Sequence, residues 1–188
     1  GAIVHWDGTS WNTVTSPIDW FLKSVYMISA NDGWIVGFDG NIMRWNGTGW
    51  SIVTCPTTAN LQSVFMVSAN DGWAVGSAPG TLYNATIIHW DGTSWNNVTC
   101  PTLSWLESVF MVSASDGWAV GVGGTILHYT TYYVRDLYGR VVIDHRWSTV
   151  TSPTTNALKS VYMVSATEGW AVGSGGTILH YTGGTWTT

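Results

Sequence analysis

The chain has 188 residues, of which only 9 % are charged, with 14 Trp, 22 Gly, 25 Thr and a formal net charge of −5. Soluble domains carry about 25 % charged residues and far fewer Trp, so neither a disordered chain nor a coiled coil fits this composition. Two Lys and four Arg form no basic stripe for nucleic acid, and no apolar run reaches the ~18–20 residues of a membrane span; neither partner is expected.

The chain opens with AIVHWDGTSWNTVTSP, two short runs of β-branched and aromatic residues around a DGTS turn, which predicts a strand pair over residues 2–14. From Leu22 a different block follows, LKSVYMISANDGWIVG, again two strands around a turn. The two block types then alternate: NIMRWNGTGWSIVTCPT, LQSVFMVSANDGWAVG, TIIHWDGTSWNNVTCPT, LESVFMVSASDGWAVG, an expanded TILHYTT to DHRWSTVTSPT, LKSVYMVSATEGWAVG and TILHYTGGTWTT. The Trp residues give a ruler. Trp11 to Trp34, Trp50 to Trp73, Trp95 to Trp118 and Trp147 to Trp170 are all steps of 23 residues, whereas the return steps are 16, 22, 29 and 16. All variation in length falls in one half of the repeat, as expected of loops on one face of a repeated scaffold.

Four short strands per ~40 residues is the period of a propeller blade, and no segment carries helical spacing. The predicted fold is all-β: one β-propeller domain over 1–188, with about four blades of four antiparallel strands and both termini in blocks of the outer strands C and D. The repeat units are about 1–21 (partial), 22–60, 61–105, 106–157 and 158–188 (partial). Strand A lies nearest the axis and D outermost. In the second unit SAPGTLYNAT adds a loop carrying Pro79 and Asn84; in the third, TTYYVRDLYGRVVIDHRW prolongs C and D into a projecting hairpin with residues 136–139 at its tip. Five C–D blocks face four A–B blocks. Residues 2–14 could supply the outer strands of the blade beginning at Leu158, but residues 177–186 already do so. The surplus leaves three readings: a piece of a longer propeller, a spare strand on a closed ring, or a segment completing a blade of another copy.

The WDGTSW stretches at Trp6 to Trp11 and Trp90 to Trp95, with NGTGW at Asn46 and TGGTW at Thr182 as variants, resemble the Asp-box of sialidase-type repeats. Together with GWAVG and GGTILHY they are similar to the extracellular WAVG/GTILHYDGSSW propeller repeats of bacterial and archaeal surface proteins. The resemblance spans nearly the whole chain and implies a propeller scaffold, extracellular or at the cell surface; it implies no activity. Sialidase chemistry would need converging Arg residues and a Tyr/Glu pair. Here Arg135, Arg140 and Arg146 crowd one insertion, and Glu occurs only at 107 and 168.

His5, His89, His128 and His180 share one repeat position, with Arg44 in the remaining unit; hydrogen bonds between blades are expected for them rather than metal. Asp32, Asp71, Asp116 and Glu168 precede Gly-Trp and are expected to bond local backbone in the A–B turn, with calcium as the alternative. Cys55 and Cys100 occupy equivalent Thr-Cys-Pro sites and are candidates for a disulfide within or between chains, or for buried thiols. Asn46, Asn84 and Asn97 begin glycosylation sequons, which fit an extracellular protein with few Lys.

No nucleophile-base pair, phosphate loop or paired carboxylate stands out, so no catalytic residue, metal or cofactor is assigned. The weak enzymatic alternative rests on the hairpin residues Tyr132, Tyr133, Arg135, Asp136, Asp144 and His145. The expected function is structural or adhesive, with copies of the chain as partners, through self-assembly by terminal strands, which extends to a filament if the contact does not close. Ala2, Ile3, Val4, His5 and Trp6 at one end, Ile178, His180 and Trp186 at the other, and Tyr133, Arg135 and Tyr138 on the hairpin are the candidate subunit contacts. The competing function is carbohydrate binding. Twelve of the 14 Trp sit at repeat positions, which leaves Trp20 and Trp105 as candidate sugar contacts.

Overall fold

A computed structural model of the protein describes residues 1–78 and 84–188. Pro79, in the inserted loop of the second unit, lies outside them. Strands β1 (Ile3–Trp6) and β2 (Trp11–Val14) pair antiparallel as a two-stranded sheet of their own. Four four-stranded meanders follow. The first blade is β3 (Leu22–Ser29), β4 (Asp32–Gly37), β5 (Ile42–Trp45) and β6 (Trp50–Val53); the second is β7 (Asn60–Ser68), β8 (Asp71–Ser77), β9 (Ala85–Trp90) and β10 (Trp95–Val98). The third is β11 (Leu106–Ser113), β12 (Asp116–Gly121), β13 (Ile126–Arg135) and β14 (Val141–Val150), and the fourth is β15 (Leu158–Ser165), β16 (Glu168–Gly173), β17 (Ile178–Thr182) and β18 (Thr185–Thr187). These are propeller blades, with the predicted strand order. Between β4 and β5, β12 and β13, and β16 and β17 the chain makes a single 3-10 turn.

Local chemistry explains the repeated motifs. The Gly of each Gly-Trp pair faces a Met of strand A, Met27 on Gly33 and Met111 on Gly117, and the thioether fills the space a side chain at the Gly would need. In the C–D turns, Asp7 Oδ1 accepts from the N–H of Thr9 and of Ser10 at 2.8 and 2.9 Å, and Asp91 does the same with Thr93 and Ser94. Asn46 replaces them with the same geometry, accepting from Thr48 and Gly49. In the fourth blade Gly183 and Gly184, both at positive φ, turn the chain without a side-chain acceptor.

Neighbouring blades are joined by three apolar clusters, first to second, second to third and third to fourth. One hydrogen bond recurs at each interface: the N–H of Val64, Val109 and Val161 donates to Ser24, Ser63 and Ser108 Oγ of the preceding blade at 3.2–3.3 Å. Tyr26, Phe65, Phe110 and Tyr162 form a column of tilted rings along the A strands, 4.8–4.9 Å from centroid to centroid.

The blades form an open arc rather than a ring. Val64, inside the first interface, is 4 % exposed, whereas its equivalent Val25 on the first blade is 59 % exposed. At the other end Tyr162, Val164, Trp170, Val172 and Ile178 of the fourth blade are exposed. The expectation that residues 2–14 could supply the outer strands of the last blade is corrected. β17 and β18 fill that place, because Tyr181 and Trp186 pack on Trp118 at 4.7 and 5.4 Å. The surplus element is the β1–β2 hairpin, which stays beside the first blade.

Candidate functional site

Each B-strand Trp is held within its own blade, and three of the four are held again by the next blade. Within its own blade it lies against the C-strand residue paired with it in register: His128 stacks on Trp118 at 4.0 Å, His180 on Trp170 at 4.1 Å, His89 tilts over Trp73 at 4.3 Å, and the Arg44 guanidinium lies 5.1 Å from the Trp34 ring. The same base then reaches the residue that begins strand B. Arg44 Nε meets Asp32 at 3.0 Å, His89 Nε2 meets Asp71 at 2.8 Å and His128 Nε2 meets Asp116 at 2.7 Å; in the fourth blade His180 and Glu168 are 3.7 Å apart, beyond hydrogen-bond reach. Two expectations are corrected here. The bases bond within a blade rather than between blades, and the acids bond side chains rather than turn backbone, because B and C are adjacent strands and these side chains share a face. His5 occupies the same repeat position beside no B strand and is exposed. Among the described residues, no three His, Cys, Asp or Glu side chains converge.

Between blades, Trp34, Trp73 and Trp118 each enter an aromatic socket on the next C–D pair. Trp34 meets Trp90 at 4.8 Å and Trp95 edge-on at 5.4 Å; Trp73 meets Tyr129 and Trp147, and Trp118 meets Tyr181 and Trp186, with the same spacings within 0.2 Å. The indole N–H groups of Trp34, Trp73 and Trp118 are buried without a hydrogen-bond partner among the described residues. Edge-to-face contact is the arrangement that offers a ring edge a neighbouring π face.

The arc leaves one knob and one socket unfilled. Trp170 is 43 % exposed, while Trp118 is 1 % exposed. Trp45 and Trp50, 5.5 Å apart on the first blade, have no Trp from a preceding B strand between them. With Val25, Met27 and the β1–β2 hairpin they line an apolar groove of about 870 Å³. Val4, Trp6 and Trp11 of the hairpin remain exposed although they border this groove.

The remaining candidates are dispersed. Ala2, Ile3, Val4, His5 and Trp6 line the groove, Ile178 is exposed on the fourth blade, and His180 stacks on the exposed Trp170 there. Trp186 is corrected as a subunit contact: it is buried against Trp118 within the chain. Tyr133 and Tyr138 are exposed on the β13–β14 arm, where Arg135 Nη1 donates to the Gly139 carbonyl at the tip. Trp20 and Trp105 precede strands A of the first and third blades; both are partly or largely exposed, and neither lines the groove. Asn46 serves in its turn, Asn97 Nδ2 donates to the Pro56 carbonyl at 3.3 Å, and Asn84 is exposed at the edge of the inserted loop. Cys55 and Cys100 are free thiols in different interblade clusters, so the expected alternative of an intrachain disulfide is corrected: equivalent points on adjacent blades do not meet. Burial pushes both thiols above their ordinary range, partly offset by hydrogen bonds from the Thr57 and Thr102 backbone.

Solved structures share this architecture. YCF48 bound to D1 peptide superposes with a TM-score of 0.67 at 16 % identity, over 99 % of this chain and 59 % of that one. This chain has the β-propeller fold. YCF48 from Cyanidioschyzon merolae gives a TM-score of 0.54 at 13 % identity, over 96 % of this chain and 76 % of that one. The chain thus spans 59 % of the length of the first of these structures, and at these identities the likeness concerns the fold. No family model and no curated protein matches the sequence.

Proposed function

We propose that this protein is a non-enzymatic structural or adhesive propeller, extracellular or at the cell surface, that associates with copies of itself through the open ends of its arc. One observation carries the reading: Trp170 at one end and the Trp45–Trp50 socket at the other are the two halves of a contact that the chain makes internally three times. A head-to-tail contact of this kind is heterologous, so it propagates into a filament unless the rotation closes it. The extracellular placement is supported by the resemblance to WAVG-type surface repeats and by the three sequons. Sedimentation velocity over a range of concentrations, with negative-stain microscopy, tests association: species larger than 20.4 kDa are expected to grow with concentration, and a monodisperse monomer throughout would overturn the reading.

A second reading, binding of a different protein, is favoured by the β13–β14 arm, whose Tyr133, Leu137, Tyr138 and Ile143 are exposed. YCF48, which shares the fold, has been solved with a D1 peptide. A Tyr133→Ser/Tyr138→Ser variant that self-associates normally would leave the arm free for that use; one that cannot would assign the arm to self-association.

A further inference from the structure

The repeat pairs five C–D hairpins with four A–B hairpins, and the surplus one carries every contact group of the hairpin that closes the fourth blade. Aligned by register, Ile3, Val4, His5 and Trp6 of β1 correspond to Ile178, Leu179, His180 and Tyr181 of β17, and Trp11 of β2 to Trp186 of β18. Leu179, Tyr181 and Trp186 are buried on Trp118, whereas Val4, Trp6 and Trp11 are exposed. We propose that the β1–β2 hairpin of one copy takes the place of β17–β18 in the fourth blade of a second copy, pairing β1 with β16. The proposal rests on the reading that copies associate, and specifies how.

Burial and local geometry both favour the exchange. In the exchanged blade, Val4, Trp6 and Trp11 cover Trp118 of the other copy as Leu179, Tyr181 and Trp186 did, so that interface neither gains nor loses apolar cover. The gain comes at the open ends. Because β1–β2 stays beside its own first blade, Trp170 of the acceptor is brought to the Trp45–Trp50 socket and its Tyr162 and Val172 to the exposed Val25 and Met27. The N–H of Val25 then finds Ser160 Oγ, repeating the bond that joins the internal blades. The turn of the incoming hairpin also carries more side-chain hydrogen bonds. It is closed by Asp7, which accepts from Thr9, Ser10 and Asn12, while β18 has three residues and a Gly183-Gly184 turn. One contact opposes the arrangement: Lys23 and Lys159 occupy the same repeat position and meet across the new interface, although Lys159 already pairs with Glu107 at 2.7 Å. Association should therefore strengthen as salt screens this repulsion.

The test uses the full chain with Cys55→Ser and Cys100→Ser. Opposed residues on adjacent antiparallel strands lie within disulfide reach. Adding Ile3→Cys and Val172→Cys should give, on oxidation, a ladder of covalent multimers on a non-reducing gel that collapses with reductant. Adding Val172→Cys and Ile178→Cys instead locks β17 to β16 in place; that protein should stay monomeric when oxidised and associate once reduced, with circular dichroism confirming its fold. If the locked protein associates as readily as the parent, or an associated sample forms no Ile3 to Val172 bridge, the exchange is wrong while self-association stands. A parent chain monomeric at every concentration and salt removes both.

Discussion

The imidazole of His128 lies on the indole of Trp118, with centroids 4.0 Å apart and planes within 12°. Its Nε2 reaches Asp116 at 2.7 Å, so one side chain supports the Trp that joins two blades and pairs the carboxylate that starts strand B. The Arg44 unit shows which changes the position accepts, since a planar cation covers Trp34 and binds Asp32 there. His128→Arg should cost little, and His128→Leu about 1–2 kcal/mol, the cost of stranding a partly buried carboxylate. Urea unfolding of the two variants checks this; equal losses would refute the pairing argument.

Trp118 and Trp170 are the same residue of the repeat in different surroundings. Trp118→Ala opens a cavity in the interface between the third and fourth blades and should cost about 3–5 kcal/mol. Trp170→Ala removes a side chain already 43 % exposed and should cost less than half as much in dilute solution. The same Trp170 variant should associate less than the parent, because its effect is felt where the ends meet. Unfolding and sedimentation measured side by side separate the two effects.

The blades were legible because their positions repeat: the 23-residue Trp step and the alternation of strand and turn chemistry place all four sheets, and the prolonged third hairpin pairs in register from Ile126↔Val150 to Arg135↔Val141. Which partner a repeated polar residue takes was not legible. His89 and Asp71 are 18 positions apart, and only the pairing of β8 with β9 shows that they share a blade face. The aromatic column through Tyr26, Phe65, Phe110 and Tyr162 was missed, although an aromatic residue after each Ser-Val was its signal. The exposure of Trp170 had no local signal at all: its sequence neighbourhood matches that of Trp118, and the difference lies in the Tyr181–Trp186 socket that only Trp118 meets.

Asp39 is the only non-glycine with positive φ among the described residues, at 56°. Gly123 and Gly175 hold the equivalent place in the third and fourth blades at 70° and 66°. A side chain in this region is disfavoured by roughly 1 kcal/mol, partly offset by the extra freedom a Gly brings to the unfolded chain. The Asp39 N–H donates to Asn60 Oδ1, a bond that Gly keeps. Asp39→Gly should therefore stabilise the protein by about 0.5 kcal/mol, read as a higher urea midpoint with unchanged slope.

Asp7 and Asp91 give the fold an acid dependence whose sign follows from their turns. The Ser10 N–H and then the Thr9 hydroxyl and N–H hold the Asp7 carboxyl well below the ordinary carboxylate range; the Thr93 hydroxyl and then the Ser94 and Thr93 N–H groups do the same for Asp91. Unfolding releases these donors to water, and the carboxyls return to about 3.9, so the unfolded chain binds more protons in acid. The stabilisation is complete above about pH 4 and is lost progressively as pH falls below it. Asn46, holding the same turn without a titrating group, supplies the control substitution. An Asp7→Asn/Asp91→Asn variant should melt with a shallower dependence on pH than the parent between about pH 5 and 2, and parallel curves would assign the acid sensitivity to other carboxylates.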